Sequence, residues 1–133
     1  MSEQQELLPI ELDPDPYAPF RLSQGIRVGH LLFVSGQAAI AEDGSIVGAG
    51  DFDAQAEQTF RNLRRVLEAG SSSLDRVVKV TIYLTDMSNF PKIVELRGRW
   101  FTSPWPADTI VEVSALALPE LEIEIEAVAL ASA

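Results

Sequence analysis

The chain has 133 residues, no cysteine, one histidine, 47% hydrophobic residues and a formal net charge of −10 at pH 7. At 14.5 kDa it has the size of one domain, and such a domain buries roughly 65–70% of its unfolded surface, enough for a core without disulfides or structural metal. The missing cysteine excludes a thiol nucleophile and a thiolate metal site, the single histidine all but excludes zinc geometries, and the charge repels nucleic-acid phosphates and anionic membrane surfaces.

The first twenty residues hold five acids and four prolines and no basic residue, which predicts a partly ordered arm over 1–20 ahead of a single domain over 21–133. The arm lacks the basic and apolar regions of a signal peptide, and no stretch approaches the ~18 apolar residues of a membrane span, so a cytoplasmic location is expected. From Arg21 the pattern turns β-like: Gln24 to Val28 and Leu31 to Gly36 flank Gly29-His30, a two-residue break that reads as a hairpin turn. Asp43-Gly44 marks the next turn, with a possible short strand at Ser45 to Val47. Between Asp53 and Ala69 the period becomes helical, with Ala56, Phe60, Leu63 and Leu67 on one face and the i,i+4 pairs Glu57/Arg61 and Arg64/Glu68 on the other. Asp51 or Asp53 caps its start and Gly70 stops it.

Arg76 to Leu84 is the clearest strand. Strict alternation puts Val78, Val80, Ile82 and Leu84 on one face and Val77, Lys79, Thr81 and Tyr83 on the other. A second helix begins after Ser88 or Asn89, with Phe90, Ile93, Val94 and Phe101 along its buried stripe, and ends before Pro104 and Pro106. Thr109 to Val113 and Leu121 to Leu130 read as two last strands. Two helices in this order cover one face of a mixed α+β sheet. The apolar second face of the central strand calls for burial against other subunits; the alternative is a monomer with scattered surface apolar residues.

Few residues suggest chemistry on their own. His30 in a turn reads as solvated, and Ser71 to Ser73 read as loop and cap. Ser35-Gly36-Gln37 lets a ligand approach the backbone closely, or is a plain bulge or turn. Glu122, Glu124 and Glu126 alternate with apolar residues, so all three carboxylates fall on one strand face at a spacing of ~7 Å. They form either a solvated face or, for at least one of them, a cleft with a donor or cationic partner. Asp108 sits where a loop meets a strand, as a solvated or turn-forming carboxylate or as part of a site. Trp105 either packs on its prolines or offers a flat contact. From Trp100 to Ala133 there are six acids and no Lys or Arg, so a pocket built there is electronegative unless Arg21, Arg27 or Arg97 folds back over it.

Five segments taken together, SQGIRVGHLLFVSGQ (23–37), DAQAEQTFRNLRRVLEAG (53–70), LDRVVKVTIYLTDMSNF (74–90), PADTIVEVSAL and EIEAVAL near the end, resemble the reactive intermediate deaminase (Rid, or YjgF) family. The resemblance implies a chorismate-mutase-like ββαβαββ fold and a homotrimer with small-molecule clefts between subunits. It also implies hydrolysis of 2-imino acids to 2-keto acids and ammonia without metal or cofactor. The family's arginine for the substrate carboxylate, directly after Pro-Ala, is Asp108 here. Its tyrosine appears as Leu22, its helix asparagine as Val94 and its cysteine as Ile110, whereas Ser35, Gly36 and Glu124 match, the last aligning with the acid that positions the hydrolytic water. Charge reversal at 108 turns an attraction of order 4 kcal/mol for a carboxylate at ~4 Å into repulsion. The expected function is therefore hydrolysis of an imine or enamine other than a simple 2-imino acid, with Glu124 catalytic and Ser35, Gly36, Asp108, Leu22, Val94, Ile110 and Trp105 lining the ligand. A non-catalytic metabolite-binding trimer and an ordinary 2-imino acid deaminase are the alternatives. If Asp108 and Glu124 share one cleft, a neutral or cationic ligand is favoured.

Overall fold

The computed structural model describes residues 6–132. Its strands are β1 (Leu8–Pro9), β2 (Gly25–Val28), β3 (Leu31–Gln37), β4 (Val77–Leu84), β5 (Ala107–Glu112) and β6 (Ile123–Leu130), and its helices are α1 (Phe52–Ala69) and α2 (Phe90–Trp100). They form one six-stranded sheet in the order β1-β2-β3-β6-β4-β5. All neighbours are antiparallel except β4 and β5, which α2 joins as a crossover. The expected mixed α+β sheet with both helices on one face is the observed one. Among the described residues no helix is long and apolar enough to cross a membrane.

Each element forms for a local reason. Gly29, at φ 60°, closes the β2-β3 hairpin in a backbone conformation that favours glycine. The Asp51 side chain accepts from the Ala54 amide and caps α1, and the helix stops at Gly70. The inner stripe of α1, with Ala56, Phe60, Leu63 and Leu67 buried, packs on Leu32 and Val34 of β3 and Ile125 and Ala127 of β6. Each large side chain so removed from water contributes about 1.5–3 kcal/mol. Phe60 lies at the centre, stacked 5.3 Å from Trp100 and edge-on at 5.8 Å to Phe101, so it joins α1 to the C-terminal end of α2. Of the two expected surface pairs on α1, Glu57–Arg61 forms at 3.3 Å. Arg64 instead lies 5.5 Å over the Trp100 ring.

Several local expectations are corrected. Strict alternation on β4 fails because the register shifts between Val77 and Lys79. This bulge turns Val77 into the core (7% exposed) and leaves Val78 outside (46%). On α2, Ile93 and Phe101 are buried as expected, but Phe90 and Val94 are exposed. The possible strand at Ser45 to Val47 is a single bridge, Ile40 to Ile46. Residues 1–5 of the expected arm over 1–20 lie outside the described residues; its remainder, which is no correction of that expectation, pairs β1 with β2 and buries Ile10 and Tyr17.

Among the described residues no helix lies over the second sheet face. It exposes Leu31, Phe33, Val78, Val111 and Leu130, and the registered pairs Leu31–Leu130 and Phe33–Val128 make a continuous apolar strip across β3 and β6.

Candidate functional site

Two sets of candidate residues assemble, one on each side of the sheet. On the helix side an open cleft of about 500 Å3 lies between α2 and the start of β5. Val94, Arg97 and Gly98 face it from successive turns of α2, because three- and four-residue spacings share one helix face. Phe101 forms its floor, Trp105 and Pro106 come from the loop that returns the chain to the sheet, and Asp108 comes from β5. Asp108 is the second residue of that strand, in register with buried Val80, which turns its side chain toward the helices.

Asp108 is thus not a solvated loop carboxylate. Arg97 grips it in a bidentate pair, Nε donating to Oδ2 at 2.8 Å and Nη2 to Oδ1 at 3.0 Å, with side-chain exposures of 27% and 15%. Planar guanidinium and planar carboxylate match in this geometry. Of the three arginines able to offset the acidic C-terminal third, Arg97 does so. Arg27 is spent on the carbonyls of Gly29 and Ser132. Trp105, expected to pack on its prolines or to offer a flat contact, is 59% exposed at the rim. Val94 lines the same cleft, whereas Ile110, two residues beyond Asp108, packs against the core.

On the other side, β3 bulges between Val34 and Gln37, so Ser35-Gly36 is a β-bulge. The extra residue bends the strand and frees its polar groups. The Gly36 carbonyl accepts from the Tyr17 hydroxyl at 2.7 Å. The Ser35 hydroxyl donates to the Ser23 carbonyl, and beneath it the buried Gln37 side chain donates to Gln24 at 2.9 Å. Glu124 lies directly against Gly36: a Cβ at residue 36 would overlap its carboxylate, so a larger residue there would force the acid to shift from its present place. Burial, and next the charge of Glu126, push the Glu124 carboxyl above its ordinary value. Burial followed by the Glu124 charge raises the Tyr17 phenol to about 12. Glu126 accepts a hydrogen bond from Tyr83. The three glutamates do not share one face: Glu122 precedes β6, and its carboxylate accepts from Gln55 of α1 at 3.3 Å. Leu22 is exposed in the segment before β2.

Asp108 and Glu124 therefore do not meet within one chain. Asp108 pairs with Val80, which faces the core, and Glu124 with Tyr83, which faces away from it. Sequence reasoning missed Tyr17, for which the arm holds no periodic signal. It left Arg97 as one of three options, although the three-residue step from Val94 places it on the same helical face.

Residues 12–131 match the protein family described as Endoribonuclease L-PSP. Protein HMF1 of Saccharomyces cerevisiae is 38% identical over 123 residues, covering 92% of this chain and 94% of that one. A 2-iminobutanoate/2-iminopropanoate deaminase of Dermatophagoides farinae is 32% identical over 117 residues, covering 88% and 89%. The crystal structure of YyfA from Yersinia pestis, a protein of the conserved Rid family, superposes with a TM-score of 0.86 at 32% identity, covering 93% of this chain and 98% of that one.

Proposed function

Because this chain belongs to the endoribonuclease L-PSP family, the Rid or YjgF proteins, we propose that it is a small-molecule protein with a ligand cleft completed between subunits, and that it hydrolyses an imine or enamine lacking a free carboxylate. The observation that carries this reading is the bidentate Arg97–Asp108 pair. With both Asp108 oxygens held by the guanidinium, the cleft offers no uncompensated cation to a substrate carboxylate, and Asp108 repels one. Glu124, whose carboxyl burial raises above its ordinary value, suits transfer of a proton from water to nitrogen. In the balanced reaction, water adds to the imine carbon as one of its protons passes through Glu124 to nitrogen, and the remaining hydroxyl proton then passes to nitrogen as the C–N bond breaks, leaving a carbonyl compound and ammonia. Ser35, Gly36 and Leu22 are assigned to the Glu124 side of this cleft and Val94 and Trp105 to the Asp108 side, while Ile110 packs on the core and drops out of the lining. An RNA substrate is not proposed, since a net charge of −10 opposes binding of a phosphate backbone.

Completion between subunits is supported by the two half-sites lying on opposite sheet faces and by the uncovered apolar strip on the face that carries Glu124. Light scattering coupled to size exclusion is expected to give three times 14.5 kDa; a monomer at micromolar concentration would remove one wall of the cleft and sink the shared site.

Hydrolysis is tested by generating imines in place. An amino-acid oxidase supplies 2-imino acids, and a flavin amine oxidase acting on benzylamine supplies an uncharged imine. Release of benzaldehyde is expected to accelerate with added protein, and release of keto acid to change little. Strong acceleration of keto-acid release would make the chain an ordinary 2-imino acid deaminase, and acceleration of neither would favour the non-catalytic binding trimer.

A further inference from the structure

The α2–β5 cleft has apolar walls and one polar feature, the Arg97–Asp108 pair, and we infer that this pair selects an uncharged planar ligand with an amide-type edge, a hydrogen-bond acceptor beside a donor. The inference rests on the reading of this cleft as a ligand site and names what that site takes. A guanidinium has five N–H donors. Asp108 uses two of them, and no hydrogen bond to the other three is made among the described residues. Each Asp108 oxygen accepts one of those two bonds and keeps a second lone pair. The pair thus presents a donor next to an acceptor.

Three ligand chemistries compete for that edge. A carboxylate satisfies the guanidinium but meets the Asp108 charge at nearly the same distance. A cation satisfies Asp108 but meets Arg97. In both cases attraction and repulsion largely cancel, while the ligand still loses its hydration. This removes the cationic ligand allowed by the sequence, where Asp108 had no partner. An amide carries no net charge, accepts from the free guanidinium N–H groups through its oxygen and donates to a free Asp108 lone pair through its N–H. A planar body then lies against Trp105, which is 59% exposed at the rim and offers a flat apolar face.

Titration calorimetry with benzamide, benzoate and benzylammonium, three probes of one size, tests the inference. Benzamide is expected to bind the native protein at least tenfold more tightly than either charged probe. Asp108→Asn, which keeps the shape and removes the charge, is expected to improve benzoate binding at least tenfold, and Arg97→Gln to improve benzylammonium binding in the same way. The second variant keeps the test decisive should the first fail to fold. Benzoate binding the native protein as tightly as benzamide, no gain of either charged probe in its variant, or no binding of any probe would each overturn the inference. Calorimetry reads binding alone, so such a failure is distinct from failure of the hydrolytic reading, which the oxidase assays decide.

Discussion

Phe60→Ala is expected to lower stability by about 3–5 kcal/mol, which corresponds to a fall in Tm of roughly 10–20 °C for a chain of this length. Phe60 is fully buried, and its ring touches both Trp100 and Phe101. Truncation therefore leaves a cavity where α1 meets the end of α2 and gives up two aromatic pairs, each contributing about 0.5–1.5 kcal/mol beyond area burial. Phe101 is also the floor of the cleft, so ligand binding should weaken along with the fold. Arg61→Ala is the comparison, because its ion pair with Glu57 is more than half exposed on the arginine side and such pairs contribute about 0–1 kcal/mol. Urea denaturation of both variants at one protein concentration measures the difference. A loss below about 1 kcal/mol for Phe60→Ala would show that the helices are not joined through this ring.

Glu124→Gln is expected to reduce imine hydrolysis about 10²–10⁴-fold, the range for loss of a positioned acid–base group, and to alter how stability depends on pH. Burial raises the Glu124 carboxyl above its ordinary value in the folded chain. A raised carboxyl favours the folded state fully below its unfolded pKa, and that contribution is lost as pH rises through the folded pKa. Glutamine does not titrate. The variant should therefore gain Tm relative to the native protein between pH 4 and pH 7. The rising limb of kcat/KM with pH, set by ionisation of Glu124, should disappear in the residual activity of the variant. Thermal melts at the two pH values check the first effect and pH–rate profiles the second. An equal Tm difference at pH 4 and pH 7 would mean that Glu124 has no raised pKa, and unchanged turnover would mean that it moves no proton.

Most elements of the fold are legible in local signals along the chain. The helical period of Ala56, Phe60, Leu63 and Leu67, the cap at Asp51, the stop at Gly70 and the break at Gly29-His30 are local signals, and local backbone chemistry acts on them without reference to the rest of the chain. The ordered segments that resemble the Rid family belong with these. Tertiary structure alone decided which way the side chains at the candidate site turn. Alternation along β4 gives the wrong face for Val77 and Val78 because a bulge depends on register with β6, which lies far along the chain. Gly36, Tyr17 and Glu124 meet only when the arm and two strands pack together. Asp108 reads in sequence as an isolated negative charge, yet Arg97, eleven residues earlier, cancels it once α2 crosses back to β5. Charge and period are read residue by residue, whereas pairing and facing are relations across the sheet, and the long-range contacts that fix them leave no periodic trace in the chain.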